Sequence, residues 1–300
     1  MKKFLGAIVA LLAFTTTVCA EQTNTQIREV VFDIETTGFK NKNEDRIIEL
    51  GAVELINKVK TGRSFHKYIN PEVKFPKNKV HKLTYEDVKN EPTFDKVAQE
   101  FIDFVGEDVL IAHNAMGFDM IILNKELKNA GYQEYKAERF IDTLLIARKI
   151  FPAIGRDYQC KPNSLDSLIE RFGFDNSERK EHGHGALLDA KLLADVYIKM
   201  LEYADKPNID VIKNTINAAI KNNKKLKITY FPNPCYKNEL TTRIVTPKKI
   251  GSGKDLNNEQ SKNFKFKLKD NKFYLKAFCE LKNAERTFMV ERILKIETEN

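Results

Sequence analysis

Tryptophan is absent from the 300 residues, and cysteine is scarce at four. No two of Cys19, Cys160, Cys235 and Cys279 are spaced as a metal-ligand pair, which argues against a zinc-finger type of module. Removal of the first twenty residues would leave three cysteines, too few for a disulfide framework. Cys235 and Cys279 could pair in an oxidising compartment, or stand as isolated buried thiols. Internal repeats and long low-complexity runs are missing too. The longest apolar run, residues 4–14, is about half the ~20 residues that a membrane-spanning helix needs.

That run has the layout of an export signal. Lys2-Lys3 precede it, and Val18-Cys19-Ala20 offer small residues before a cut. The expectation is a signal peptide over 1–20, a short linker over 21–27, and a periplasmic or secreted mature chain with no membrane contact. The alternative is an ordinary apolar N-terminal segment on a cytoplasmic protein. Charge is unevenly spread along the rest. Residues 205–300 hold 21 Lys+Arg against 11 Asp+Glu, a net of +10, which leaves −2 for residues 1–204 out of the total of +8. A mildly acidic body therefore carries a basic tail, able to attract polyanions or simply to present a solvated lysine-rich surface.

Element patterning divides the chain at Pro207. Residues 28–35, 47–56 and 65–69 read as strands, followed by helices at 84–89 and 94–105. A short buried strand at 109–113, a helix at 118–130, a strand at 140–142 and helices at 164–172 and 186–203 complete a mixed α/β body. Past Pro207 a helix at 209–221 is followed by strand patterns at 226–231, 243–246, 264–268, 273–279 and 286–296. One helix and about five short strands predict a small β-barrel of the Sm or SH3 type over 204–300.

Three phrases in the body carry chemistry: Asp33-Ile34-Glu35-Thr36-Thr37-Gly38, His113-Asn114-Ala115-Met116-Gly117-Phe118-Asp119, and His184-Gly185-Ala186-Leu187-Leu188-Asp189. Asp33 and Glu35, two apart on a strand, project from one face of the sheet. Alone, such a pair is equally a solvated edge, and Asp119 at a helix start is equally a capping carboxylate. Gathered in one cleft with Asp189, however, the four acids would need divalent cations to neutralise them. His184 lies five residues before Asp189, a spacing of about 140° on a continuous helix. The two converge only if His184 precedes the helix, and Gly183 and Gly185 allow that. A histidine so placed can accept a proton from water, which with hard cations suits phosphodiester hydrolysis.

These phrases, together with residues 46–54, Asp142-Thr143-Leu144 and residues 163–168, resemble the proofreading exonucleases of the DEDD class. The nearest likeness is to the epsilon subunit of bacterial DNA polymerase III. The resemblance covers residues 28–203, and glycine at 185 in place of tyrosine points to the histidine subclass, DEDDh. It implies an RNase H-like mixed sheet with flanking helices, and 3′→5′ release of nucleoside 5′-monophosphates with two divalent cations, Mg²⁺ or Mn²⁺. Asp33, Glu35, Asp119 and Asp189 match the metal carboxylates, with His184 the general base. Ile34, Thr36, His81 and Asn114, beside Asp33, Glu35 and Asp189, are the implied contacts to a single-stranded or frayed 3′ end. Pro76 stands where the family has a glutamate, which puts the 3′-hydroxyl contact in doubt, and residues 153–162 look longer than the family's loop.

The tail lacks the segment by which epsilon subunits dock on a polymerase. It resembles the WYL domain instead, through residues 226–230, 243–247, 273–275 and 286–293, with Phe273 in place of the naming tryptophan. That resemblance implies a nucleic-acid or nucleotide ligand, with Arg243, Tyr274, Arg286 and Arg292 as candidates. Overall the expectation is a metal-dependent 3′→5′ exonuclease acting on DNA, or also on RNA. Its rivals are a proofreading subunit inside a polymerase complex, and a nucleic-acid- or ligand-binding protein whose nuclease site is vestigial.

Overall fold

A computed structural model describes residues 26–39, 44–77, 80–151, 163–232, 239–258 and 268–299. The expected signal peptide, the long loop at 153–162, the strand at 264–268 and the Cys235–Cys279 pairing all fall, wholly or in part, outside these residues.

The body is built on β1 (Arg28–Thr36), β2 (Ile47–Ile56), β3 (Val59–Tyr68), α1 (Tyr85–Val88), α2 (Phe94–Val105), β4 (Val109–Ala112), α3 (Asp119–Asn129), β5 (Phe140–Asp142), α4 (Thr143–Ile150), α5 (Leu165–Phe172), α6 (Ser177–His182) and α7 (Ala186–Leu201). Its five-stranded sheet has the order β3-β2-β1-β4-β5. The first three strands run as an antiparallel meander, while β4 joins β1 and β5 joins β4 in parallel. This is the mixed RNase H-like arrangement. Alternation along β1 decides what each side chain meets. Val30, Phe32 and Ile34 pack on one face with Phe94, Phe101 and Leu123 of α2 and α3. Val31 faces the other way, into a core with Leu168 and Ile169 of α5 and with Leu193 and Val196 of α7. Asp33 and Glu35 therefore share the α7 side.

Two ties hold α7 against β1 and β2. The Tyr197 hydroxyl donates to Glu29 Oε1 at 3.1 Å and accepts from Lys58 Nζ at 3.0 Å. At the other end of the helix, Gly51 of β2 lies directly under the first turn.

The second unit holds α8 (Ile209–Lys221), β6 (Leu226–Tyr230), β7 (Thr241–Ser252), α9 (Gly253–Asn258), β8 (Phe273–Cys279), β9 (Ala284–Met289) and β10 (Ile293–Thr298). Its strands form an antiparallel sheet in the order β10-β6-β7-β8-β9, with Ile212 and Ile216 of α8 in its core. The closed barrel expected here is not formed: among the described residues β9 and β10 are opposite edges. The pattern over 286–296 is not one strand. A 3₁₀ turn at Val290–Arg292 carries the chain from β9 across to β6, where β10 pairs antiparallel. The two units share apolar contacts. Phe231 and Leu294 belong to the same buried cluster as Phe151, and the Phe151 and Phe231 rings meet edge-on at 5.0 Å. Among the described residues no helix is long and apolar enough to cross a membrane.

Candidate active site

Where β1 ends, a cleft of about 400 Å³ opens between the sheet, the loop after β4 and the start of α7. Asp33, Ile34, Glu35, Asn114, Asp119, His184 and Asp189 line it, with Phe39 and Phe118 among its apolar walls. Three separated segments thus bring all four predicted acids and the histidine together.

Each arrives for a local reason. Asp33 pairs in register with Gly51 and Glu35 with Glu49, and a bulge after Glu35 ends the regular ladder. Thr37 then exchanges bonds with Arg46: its nitrogen donates to the Arg46 carbonyl at 2.9 Å, and its hydroxyl accepts from Arg46 N at 3.0 Å. Arg46 Nε in turn donates to Glu126 Oε1 of α3 at 2.6 Å, tying the end of β1 to the helix that bears Asp119.

Asp142 shapes the loop before that helix. Its carboxylate accepts from the backbone of Asn114 at 3.0 Å, Met116 at 3.2 Å and Leu144 at 2.9 Å, so one side chain both caps α4 and fixes the turn. Asn114 sits in that turn at φ 67°, a left-handed conformation that asparagine tolerates. His113, both ring nitrogens engaged with Thr143 Oγ1 and the Asn163 carbonyl at 2.9 Å, supports the loop, and burial lowers its pKa.

His184 stands in the link between α6 and α7, its nitrogen donating to the Val80 carbonyl at 3.0 Å. Gly183 makes the link possible at φ 88°, where a β-carbon would also crowd Val80 O at 2.9 Å. Asp189 follows in the first turn of α7, near the positive end of the helix dipole.

The electrostatics are those of crowded acids. Loss of hydration, then the charges of Asp189, Asp119 and Glu35, hold Asp33 well above the usual carboxylate range. Glu35 is raised likewise, by burial, then by Asp189 and Glu49. Burial pushes Asp119 up to about 7, despite stabilising hydrogen bonds from its own backbone and that of Ile34. One oxygen of Glu35, one of Asp189 and a ring nitrogen of His184 lie within 4.8 Å of one another, close enough to hold a metal ion. Hard carboxylate oxygens in this number fit Mg²⁺ or Mn²⁺ better than a soft metal.

Not every expected contact reaches the cleft. Thr36 is fully buried, its hydroxyl donating to the Gly38 carbonyl at 2.6 Å. His81 is buried, Nδ1 accepting from Leu83 N at 3.1 Å, and it does not line the cleft, whereas its neighbour Val80 does. In the second unit Tyr274 and Arg292 are buried, Arg243 is half-buried with Nη1 at 3.6 Å from Cys279 Sγ, and Arg286 is exposed.

Sequence reasoning missed Arg179. This buried guanidinium of α6 reaches into the cleft and grips Asp189 through Nε–Oδ1 at 2.6 Å and Nη2–Oδ2 at 3.0 Å. The signal available was indirect: four acids and a single arginine, ten positions before Asp189, in the segment leading to His184.

The family model described as exonuclease matches residues 30–197, from β1 into α7. DNA polymerase III subunit epsilon of Rickettsia conorii is 43% identical over 180 residues, covering 58% of this chain and 74% of that protein. The subunit of the same name from Pasteurella multocida is 39% identical over 220 residues, covering 68% and 83%. Among solved structures, the zinc-bound complex of E. coli exonuclease I with single-stranded DNA aligns at TM-score 0.49 and 13% identity. It covers 92% of this chain, which spans 65% of the exonuclease I chain, just under two thirds.

Proposed function

We propose, from the premise that this chain belongs to the exonuclease family and is a 3′→5′ exonuclease, that it hydrolyses DNA from a single-stranded or frayed 3′ end to nucleoside 5′-monophosphates. Asp33, Glu35, Asp119 and Asp189 would hold two divalent cations, Mg²⁺ or Mn²⁺. The convergence of those four side chains on one cleft, with three of their pKa values raised, is the observation that carries the reading. When bound, such cations stabilise the charge that develops on the phosphate oxygens. The chain's own residues supply the rest. His184 is placed to accept the proton of the attacking water. Phe39 and Phe118, stacked at 5.8 Å, offer a base an aromatic face at the rim. Ile34 and Asn114 line the floor between them and the acids. RNA is a further substrate under this reading, since none of these features recognises the sugar.

Digestion of a 3′-labelled oligonucleotide tests the reading. Asp33→Ala and Asp189→Ala should each abolish release of nucleotide while the protein stays folded, and EDTA should do the same to the native protein. Activity retained in both variants would refute it.

A second reading places the same chemistry in a polymerase assembly, and the names of the Rickettsia and Pasteurella relatives favour it. Co-purification with a polymerase would establish it. Two outlying parts complete the proposal. Residues 1–20 act as an export leader, so a native chain beginning near Glu21 is the expected mass-spectrometric result, and an intact Met1 or Lys2 the opposing one. The basic 204–300 unit, WYL-like in sequence, adds affinity for nucleic acid. Its contribution should fall steeply with salt.

A further inference from the structure

Arg179 does more in this cleft than neutralise one acid. A guanidinium only donates hydrogen bonds and stays charged at any ordinary pH. Its Nε and Nη2 occupy both oxygens of Asp189, the two-pronged geometry in which this pair is strongest. The same Nη2 lies 2.9 Å from His184 Nδ1. That ring nitrogen also stands 3.2 Å from Asp189 Oδ2, so guanidinium, carboxylate and imidazole form one tight cluster. One buried side chain thus covers a carboxylate needed for a cation and crowds the histidine beside it.

A place for Arg179 to go adjoins the cleft. A hollow of about 670 Å³ shares Arg179 and His184 with it, and its acidic wall is Asp166 and Glu170 of α5. Arg179 Nη1 already ion-pairs with Asp166, whose side chain is 63% exposed, so a second anchor exists on the solvent side. Gly183 lies between Arg179 and His184 at φ 88°.

We propose that Arg179 is a positioning residue that serves as the resident cation of the cleft when no metal is bound, and that its withdrawal toward Asp166 and Glu170 frees Asp189 for a divalent cation. This rests on the nuclease reading above.

The test is Mn²⁺ binding by electron paramagnetic resonance on the full chain, with thermal unfolding of the chelated protein alongside. Arg179→Gln should unfold at lower temperature without metal, because the acids lose their internal partner, yet bind Mn²⁺ about tenfold more tightly, since no cation has to be displaced. Asp166→Asn, a change at the exposed anchor, should weaken Mn²⁺ binding and leave the metal-free unfolding temperature nearly unchanged. Arg179→Lys keeps the charge without the fork and should fall between native and Gln. Unchanged or weaker Mn²⁺ affinity in Arg179→Gln, or unchanged affinity in Asp166→Asn, would overturn the proposal. Asp33→Asn separates the two claims. If that variant binds Mn²⁺ like the native protein, the acids are not the metal holders and the nuclease reading fails. If it does not bind while Arg179→Gln shows no gain, only the role of Arg179 fails.

Discussion

Gly51 lies so close beneath Leu187 that a β-carbon at position 51 would stand 2.2 Å from the Leu187 nitrogen. The start of α7 can approach β2 only because that strand offers bare backbone at this point. Since Asp33 pairs with Gly51 across the ladder, the same contact sets the distance from the first acid to the last. Gly51→Ala should therefore cost about 1–3 kcal/mol of stability from overpacking. It should cost more in function, because a shift of about 1 Å in a reacting group is worth about a hundredfold in rate. Thermal unfolding and steady-state digestion of the variant would measure both. A stable and fully active Gly51→Ala would show that α7 is not held this tightly.

Stability of the metal-free protein should fall as pH rises. Asp33, Glu35 and Asp119 have folded-state pKa values above their unfolded ones, so between the two values the folded chain binds more protons than the unfolded chain. For Asp119 the window runs from about 4, the unfolded value, up to about 7. Stability from this source is fully present below that window and gone above it. Chelated protein should melt lower at pH 8 than at pH 5.5, and Mn²⁺ should raise the melting temperature more at pH 8. Asp119→Asn should flatten part of the slope.

The join between the two units holds a buried charged contact. Arg171 is buried with its guanidinium 4.3 Å from the Phe151 ring centre and 4.4 Å from that of Phe231, and burial lowers its pKa to about 9. A desolvated contact of this kind is worth about 2 kcal/mol. Arg171→Ala should destabilise by that much or more and uncouple the unfolding of residues 209–298 from that of the body. Calorimetry would show one transition becoming two. Arg171→Lys, lacking the flat face that stacks on the rings, should rescue little.

Phe39 is 47% exposed at the lip of the cleft, where it stacks on Phe118. Phe39→Ala should raise KM for a single-stranded 3′ end about tenfold, as stacking of about 1–3 kcal/mol per base implies, and change kcat less. Equal loss in both would mean that the ring also orders the reacting phosphate.

What could be read in advance follows from the range of each interaction. Asp33 and Glu35 were legible as a pair because a strand's period of two acts over neighbouring residues. The position of His184 ahead of α7 was legible from the glycines around it. That Asp119 and Asp189 meet them depends on strand order and helix docking, which only resemblance to a known family supplied. Arg179 stayed hidden because an ion pair between a short helix and the next one leaves no periodic mark. His81 looked like a contact, yet its side chain is buried and the adjacent Val80 lines the cleft. In the tail, strand patterns located β6, β7 and β8 without their order, and the 3₁₀ turn at Val290–Arg292, which sends β10 to the far edge, has no strong local signal.

Two of the four acids lie on the body's first strand and one on its last helix, with Asp119 on α3 between them. During synthesis Asp33 and Glu35 leave the ribosome while most of the domain is still unmade, and they have nothing to work with until α7 emerges and seats on Gly51. A chain that stops anywhere before residue 189 lacks the carboxylate of α7, so the order of the elements leaves the set of acids incomplete until that last helix is made.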